Sequence, residues 1–252
     1  MAAARQGWDL IRDTACLAWD GLLDLLYPPC CLVCGRDDAE PFCAVCRAAI
    51  SPLSPPFCDR CGIQVGAGRL VCDHCEEGPQ PDFAWSQAVG LYAGVLLTAI
   101  QRLKYDGKLA LAAPLGALLA ESLRTPSPLL PAGQRFDLIV PVPLHRSKFR
   151  ARGFNQAERL ARTLVAPLGC PLSTDALVRA RRTPTQTALG RAERRRNVQG
   201  VFEVLKPEAV EGRSVLLIDD VLTTMSTVNE CARVLRNAGA RRVAVLALAR
   251  GM

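Results

Sequence analysis

The sequence predicts an α/β protein with a mostly parallel sheet covered by helices on both faces, preceded by a small cysteine-rich module. Apolar strands alternate with helical patterns in the C-terminal two thirds of the chain. Cys-x-x-Cys pairs are confined to an N-terminal segment rich in turn residues. No apolar run is long enough to cross a bilayer.

Strands and helices alternate after a boundary at "PQPDF", residues 79–83. The strands are predicted at 87–92, 136–144, 214–221 and 242–250, and the helices at 95–104, 109–123, 155–169 and 228–238. Gly169 and Gly239 close two of these helices, because glycine readily takes the left-handed conformation that ends a helix. We expect this α/β domain to span residues 83–252.

The first 29 residues are predicted to hold an amphipathic helix. Trp8, Ile11, Ala15 and Trp19 recur at helical spacing, while acidic residues occupy most of the other face. An acidic polar face favours docking on the rest of the protein over lying on a membrane surface. Charged residues also interrupt any signal-peptide core, so we expect a cytoplasmic protein.

Eight of the 12 cysteines form Cys-x-x-Cys pairs within residues 30–79: Cys31/Cys34, Cys43/Cys46, Cys58/Cys61 and Cys72/Cys75. In a reducing compartment this spacing is typical of zinc knuckles, in which two thiolates reach one tetrahedral ion from a tight turn. The simplest arrangement joins successive pairs into two sites, although an interleaved pairing or a single occupied site also fits. All-thiolate sites leave no open position for catalysis, so we expect the Zn²⁺, one ion or two, to be structural.

Positive charge is concentrated in residues 146–196, where 13 Lys and Arg face three acids. The whole chain has a net charge of only +7. Such a concentration favours an anionic ligand or a nucleic acid over an ordinary solvated surface. Phe149 and Phe154 are the only aromatic residues of this segment, which argues against broad stacking of bases from a single strand.

The stretch "VLLIDDVLTTMST", residues 215–227, places two carboxylates at the end of a strand and hydroxyl residues at the start of a helix. A helix N-terminus attracts phosphate through its N–H groups and its dipole, and hydroxyls add donors. Paired carboxylates accept hydrogen bonds from vicinal sugar hydroxyls or face Mg²⁺. Helix capping would account for one acid, whereas two acids followed by these hydroxyls favour a ribose 5-phosphate site.

This stretch is similar to the ribose-phosphate motif of type I phosphoribosyltransferases. Three further segments resemble the ComF family: "GLYAGVLLTAIQRLKYDGKLALA" at 90–112, "VPVPLHRSKFRARGFNQAERLA" at 140–161 and "RRTPTQTALGRAERRRNVQGVFEV" at 181–204. The resemblance begins at about Leu22 and runs to the end of the chain. It implies a double zinc ribbon followed by a type I phosphoribosyltransferase-like fold, with a role in DNA uptake during competence or in nucleotide recycling.

The resemblance also implies roles for particular residues. Asp219 and Asp220 would hold the ribose hydroxyls of phosphoribosyl pyrophosphate, bound with Mg²⁺. The 5-phosphate would lie against Thr223, Thr224, Met225, Ser226 and Thr227. Arg152 and Gly153, in the loop after the strand at 136–144, would bind the pyrophosphate, and residues 179–196 would close over it as a hood. Arg152, Asp219 and Asp220 would then promote phosphoribosyl transfer to an acceptor that the sequence does not identify.

Met225 departs from the family pattern, which has glycine at this position. If the backbone needs a positive φ there, methionine weakens phosphate binding; if φ is helical, the side chain can point away. Because the rest of the motif is intact, we expect binding to be retained. Lys104 and Tyr105, at the end of a predicted helix, fit the site and the surface equally well.

Two other functions fit the sequence. The chain could be a non-catalytic adaptor that senses the same ligand, or that handles single-stranded DNA with its zinc ribbons and basic segment. It could also be a scaffold whose N-terminal helix and ribbons dock a partner such as a competence helicase.

Overall fold

The computed structural model describes residues 28–124, 134–181 and 199–251. Its helices are α1 (Ala44–Ala48), α2 (Asp73–Glu77), α3 (Gly94–Tyr105), α4 (Ala112–Arg124), α5 (Arg146–Arg152), α6 (Gln156–Leu168) and α7 (Ser226–Asn237). Its strands are β1 (Trp85–Leu91), β2 (Leu138–Pro141), β3 (Leu177–Arg179), β4 (Phe202–Val204), β5 (Ser214–Leu222) and β6 (Arg242–Arg250). The helix expected within residues 1–29, and the hood segment beyond Arg181, lie outside the described residues.

Four strands form a parallel sheet in the order β1–β6–β5–β2. The register of the central pair places Leu216 beside Ala244 and Ile218 beside Leu246. Nearly every residue of β5 and β6 is buried, because helices cover both faces of the sheet. The predicted α/β class with a mostly parallel sheet is therefore confirmed.

The strand predicted at 136–144 is shorter in the structure, where β2 ends at Pro141. The backbone N–H of Val142 still donates to the Ile218 carbonyl at 2.9 Å. The next residue, Pro143, is no longer part of the strand. The polypeptide therefore leaves the sheet at this point and enters the segment that carries Arg152.

The two faces of the sheet have separate hydrophobic cores. On one face α3, α4 and α6 pack against β-strand residues that include Leu216 and Leu246. On the other face α7 and the antiparallel pair β3–β4 pack against residues that include Leu217 and Val245. The cysteine module contributes to both cores: Cys31, Cys43 and Cys46 belong to the first, and Cys58, Cys61 and Cys75 to the second.

Helices α4 and α6 approach each other closely at Gly116. A Cβ at this position would lie 1.7 Å from the Thr163 hydroxyl oxygen, so only glycine fits the contact. None of the helices in the described ranges has the length and hydropathy needed to cross a membrane. The division of the chain at residues 29, 79 and 83 stays a prediction.

Candidate functional site

The eight paired cysteines form two clusters, and the successive pairs combine as the simplest reading of the spacing predicts. The first tetrad is Cys31, Cys34, Cys43 and Cys46; the second is Cys58, Cys61, Cys72 and Cys75. Within each tetrad all sulfur atoms lie within 4.8 Å of one another, and three of the Sγ–Sγ separations are 3.7, 3.8 and 3.7 Å. Four thiolates at 2.3 Å from one zinc ion define a tetrahedron with edges of about 3.8 Å. The tetrads therefore fit Zn²⁺.

Backbone N–H groups in these tetrads donate hydrogen bonds to cysteine sulfur atoms and so favour the thiolate form. The Cys31 sulfur accepts from the N–H of Val33 at 3.4 Å and from that of Cys43 at 3.5 Å. Burial raises the pKa of Cys31, but the backbone N–H groups around it outweigh burial and lower that pKa to about 6. The same balance lowers the pKa of Cys58 to about 7. In each tetrad the backbone therefore favours the thiolate form of one cysteine, which is the form that binds zinc.

Asp219 and Asp220 lie near the carboxyl end of β5, and their environments differ. Asp220 is buried; one carboxylate oxygen forms an ion pair with the Lys104 ammonium, and the other accepts from Gln156 Nε2 at 3.4 Å. Asp219 is only partly covered, and its Oδ1 accepts from the Asp220 N–H at 2.9 Å. Burial and the Asp220 charge raise the pKa of Asp219 well above its ordinary value. A cation bound beside Asp219 would therefore favour its ionised form.

Lys104 belongs to the site, a point that its sequence position left open. Burial acts to lower the pKa of Lys104, but the charges of Asp220 and Asp219 outweigh it and raise that pKa. Its neighbour Tyr105 is 72% exposed, and the ring lies under the Arg152 guanidinium with 5.2 Å between the Cζ atom and the ring centroid. The end of α3 therefore contacts both the acidic pair and the expected pyrophosphate residue.

Arg152 ends a short helix, so the sequence prediction of a loop around it was wrong. The His145 ring caps α5 by accepting from the Ser147 N–H at 3.1 Å, which starts a helix soon after β2. Gly153 ends this helix with a φ of 83°, a left-handed conformation that suits glycine. The Arg152 side chain donates to the Gln156 Oε1, and Gln156 in turn donates to Asp220. Arg152 is thus linked to the acidic pair through one side chain.

Four cationic side chains at this end of the sheet act electrostatically on one another and are here called the cation cluster: Lys104, Lys148, Arg152 and Arg179. Burial and the positive charges of the other three lower the pKa of Lys148. Burial lowers the pKa of Arg179, and the Asp219 charge partly offsets this. The Arg179 guanidinium lies over the Phe202 ring at 5.4 Å, so the β3–β4 pair holds it in place. Clustered cations beside buried acids are typical of a site for a polyanionic ligand.

The loop after β5 has an unusual backbone at Met225. This residue is the N-cap of α7 with φ 63° and ψ −6°, and it is the one non-glycine residue with positive φ in the described ranges. No side chain caps the helix, which leaves the N–H groups of its first turn without a side-chain acceptor. The Thr224 and Ser226 hydroxyl oxygens lie 3.1 Å apart at this end. Of the two alternatives that the sequence left open at position 225, the structure therefore shows the positive φ.

Arg250 lies beneath this loop, and the sequence analysis missed it. Its side chain is 2% exposed, and its Nη1 donates to Met225 Sδ at 3.0 Å. A sequence signal did exist: in "RVAVLALAR" a charged residue ends a fully apolar strand. In a parallel sheet that position lies at the same edge as the end of β5. A charge buried at the carboxyl edge of a central strand should have been a candidate site residue.

Two cavities flank the site. One of about 680 Å³ lies between α5 and the β3–β4 pair, where its lining includes His145, Arg146, Phe149, Arg150, Arg179 and Glu203. The other, of about 320 Å³, lies beside the loop before α7, where its lining includes Cys61, Cys75, Phe83, Thr224, Met225 and Ser226. The second tetrad therefore lies next to the loop that precedes α7.

Comparison with known sequences agrees with this architecture. Residues 22–76 match the double zinc ribbon domain, and residues 150–252 match the phosphoribosyl transferase domain. The DNA utilization protein YhgH of Escherichia coli strain K12 is 35% identical over 214 residues, which cover 82% of this chain and 89% of that protein. Competence protein F of Haemophilus influenzae is 32% identical over 215 residues, covering 82% and 90%. Competence protein ComFC of Bacillus subtilis is 26% identical over 213 residues, covering 79% and 80%.

Two solved structures are similar to part of the chain. The glutamine phosphoribosylpyrophosphate amidotransferase of B. subtilis, complexed with ADP and GMP, has a TM-score of 0.39 and 18% identity, covering 59% of this chain and 30% of that one. The allosteric regulatory enzyme of purine biosynthesis has a TM-score of 0.36 and 22% identity, covering 54% and 25%.

The parallel sheet, the acidic pair before an uncapped helix and the two thiolate tetrads define a type I phosphoribosyltransferase-like protein that carries a double zinc ribbon. The sequence identity to its relatives, and the share of the chain that they cover, also show its family. The chain belongs to the ComF family of competence and DNA utilization proteins.

Proposed function

We propose that this chain binds phosphoribosyl pyrophosphate together with Mg²⁺ at the carboxyl edge of its sheet. The observation that carries the proposal is the juxtaposition of an acidic pair, an uncapped helix N-terminus and the cation cluster. A ligand with vicinal hydroxyls, a terminal phosphate and a pyrophosphate complements these three features at once. Few metabolites combine all three groups.

Each proposed contact follows from the surroundings of the side chain. The 5-phosphate would bind at residues 223–227, where hydroxyls and first-turn N–H groups are available. Asp220 would accept a ribose hydroxyl through the oxygen that Lys104 does not occupy. Asp219 would face the Mg²⁺, whose charge would favour the ionised form that burial now disfavours. Mg²⁺ would supply neutralisation of the pyrophosphate.

The cation cluster supports a transfer reaction. Displacement of pyrophosphate from the anomeric carbon leaves negative charge on the departing group, and Lys148, Arg152 and Arg179 are placed to stabilise it. The cavity of about 680 Å³ beside Arg179 offers room for an acceptor. The names of the relatives support a role in DNA utilization or competence, and we propose that this role is the recycling of nucleotide material.

Thermal unfolding with added ligand tests the proposal. Mg²⁺ plus phosphoribosyl pyrophosphate should raise the melting temperature of the parent chain, since a ligand that binds only the folded state stabilises it. Mg²⁺ alone and pyrophosphate with Mg²⁺ are the reference titrations. The Asp219→Asn/Asp220→Asn double variant should lose the shift. An unchanged melting temperature in the parent would rule out the ligand assignment.

Single-stranded DNA is the second candidate ligand, for a specific reason. On α5 the Phe149 ring is 45% exposed and lies between Arg146 and Arg150 along the chain, so a base could stack where two cations reach the backbone phosphates. DNA affinity would then fall steeply with salt and survive the Asp219→Asn change. It would weaken in Phe149→Ala and in Arg150→Ala, whereas the sugar-phosphate site would keep its melting shift in both.

A further inference from the structure

Arg250 connects the second cysteine tetrad with the loop that precedes α7. Its Nη2 donates to the Ser86 hydroxyl at 2.7 Å and lies 3.4 Å from the carbonyl oxygen of Cys61, a residue of the tetrad. The Ser86 hydroxyl donates to the same carbonyl at 2.6 Å. The other terminal nitrogen, Nη1, contacts Met225 Sδ at 3.0 Å. A single side chain thus reaches a zinc ligand at one end and the N-cap of α7 at the other.

The buried Arg250 guanidinium contacts three neutral polar groups, which are a hydroxyl, a carbonyl and a thioether. A buried cation usually requires an opposite charge nearby. The Arg250 guanidinium lies beside the second tetrad, because its Nη2 is 3.4 Å from the carbonyl oxygen of Cys61. One Zn²⁺ with four thiolates carries a net charge of about −2, so a cation held beside the metal-loaded tetrad would stabilise it.

We propose that Arg250 is the counter-charge of the second zinc site and a positioning residue for the loop at 223–227. Zinc occupancy of the second tetrad and phosphate binding at this loop would then reinforce each other. The second half of this statement rests on the proposed function, because it requires that the loop binds phosphate.

The coupling follows from the contacts at the two ends of the side chain. Zinc fixes the charge of the tetrad and the place of the Cys61 carbonyl, and these hold the guanidinium against Ser86. The guanidinium then holds the Met225 sulfur, and with it the left-handed backbone that begins α7. That backbone sets where the N–H groups of the first turn point. Because thermodynamic coupling is reciprocal, phosphate at the loop must also retain zinc.

Zinc release to a chromophoric chelator tests the proposal in the intact chain. In Arg250→Met, one of the two zinc equivalents should leave faster than in the parent, by roughly 10–100-fold, as expected for loss of a group that supports the ligands. Arg60→Met is the matched control, because Arg60 also contacts the second ribbon, at the Cys75 carbonyl, but not Met225. Ribose 5-phosphate is the anion probe. It should slow zinc release in the parent and in Arg60→Met, and have no effect in Arg250→Met.

Two further variants keep the test decisive if Arg250→Met fails to fold. Arg250→Lys keeps the charge, so ligand-free zinc release should stay close to the parent rate. Met225→Leu keeps the volume but removes the sulfur contact, so ribose 5-phosphate should no longer slow zinc release in this variant.

The possible failures are distinguishable. Parent-like zinc release in folded Arg250→Met, or fast release in Arg250→Lys, would overturn the counter-charge. If ribose 5-phosphate raises the melting temperature of the parent yet leaves its zinc release unchanged, the coupling is wrong. If ribose 5-phosphate does not bind the parent, the proposed function and the coupling fall together, and the ligand-free comparison still decides the counter-charge.

Discussion

Replacing Met225 with glycine should relieve the strain of a left-handed backbone but lose the stabilisation from a buried side chain. A residue with a Cβ pays about 1–2 kcal/mol for the left-handed conformation that Met225 adopts at φ 63°. Against this, the side chain is only 9% exposed, and burying a methionine stabilises the fold by about 1.5–3 kcal/mol. Glycine also loses about 0.5–1 kcal/mol more backbone freedom on folding than alanine. We therefore expect Met225→Gly to destabilise the chain by about 1–2 kcal/mol.

Met225→Ala is the comparison that isolates the backbone term. Alanine loses the same buried side chain but keeps the left-handed strain, so it should be less stable than Met225→Gly by a few tenths to about 1 kcal/mol. Urea unfolding of the zinc-loaded parent and both variants gives the three free energies of unfolding. If Met225→Ala proves as stable as Met225→Gly, or more so, the positive φ does not strain the parent and the reasoning fails.

The same variants report on ligand binding. Met225→Gly should bind ribose 5-phosphate as well as the parent or better, because the relief of left-handed strain and the extra room beside the loop outweigh the lost contact with Arg250. A large improvement would mean that methionine limits this loop and that the site has drifted from catalysis. Weaker binding would mean that the loop depends on the Met225 contact with Arg250.

Three further results are expected. Asp220→Asn leaves the Lys104 ammonium without its partner, so it should destabilise the fold by about 3–5 kcal/mol in urea unfolding. Asp219→Asn should instead stabilise the ligand-free chain, and the gain should grow as pH rises. The pKa of the Asp219 carboxyl group is raised in the folded state, so the unfolded state loses this proton at lower pH. The parent therefore loses stability above the unfolded pKa, and the variant does not. Gly116→Ala drives a Cβ into Thr163 and should cost about 1–3 kcal/mol.

Each of these results has a matched control. Asp220→Asn/Lys104→Met removes both charges and should recover part of the loss, so a cost equal to that of the single variant would contradict the ion-pair argument. The Asp219→Asn gain should vanish near the unfolded pKa; a gain independent of pH would point to another cause. Gly66→Ala meets no atom within 4 Å and should stay within about 0.5 kcal/mol of the parent, so an equal cost at both glycines would refute the helix contact.

Local patterns were enough to predict the sheet and its helices. The strands at 214–222 and 242–250 contain the continuous apolar runs 215–218 and 243–249, and α6 ends at Gly169 as the sequence indicates. The start of α5 was missed because its cap is a histidine side chain that accepts from a backbone N–H, a contact without a distinctive sequence pattern. Lys104 was undecided for a different reason: only the tertiary fold brings the end of α3 to Asp220.

The acidic pair and the loop at 223–227 could be located in advance, because their chemistry lies within one continuous stretch of sequence. Their supports could not, because these come from other elements. Gln156 reaches Asp220 from α6, and Arg250 reaches Met225 from the last strand. Short-range reasoning identifies the residues that would meet a ligand, and long-range contacts decide how those residues are held.

The placement of the two tetrads gives the zinc ribbons a role beyond holding themselves together. The first tetrad packs into the core on the face of α3, where Arg102 donates to the Leu32 carbonyl at 2.7 Å. The same helix presents Lys104 to Asp220. The second tetrad packs on the opposite face, where Arg250 joins it to Met225. Each ribbon therefore contacts an element that reaches either the acidic pair or the loop at 223–227. Loss of zinc from the first tetrad should then disturb the Asp220 pair, and loss from the second should disturb the loop.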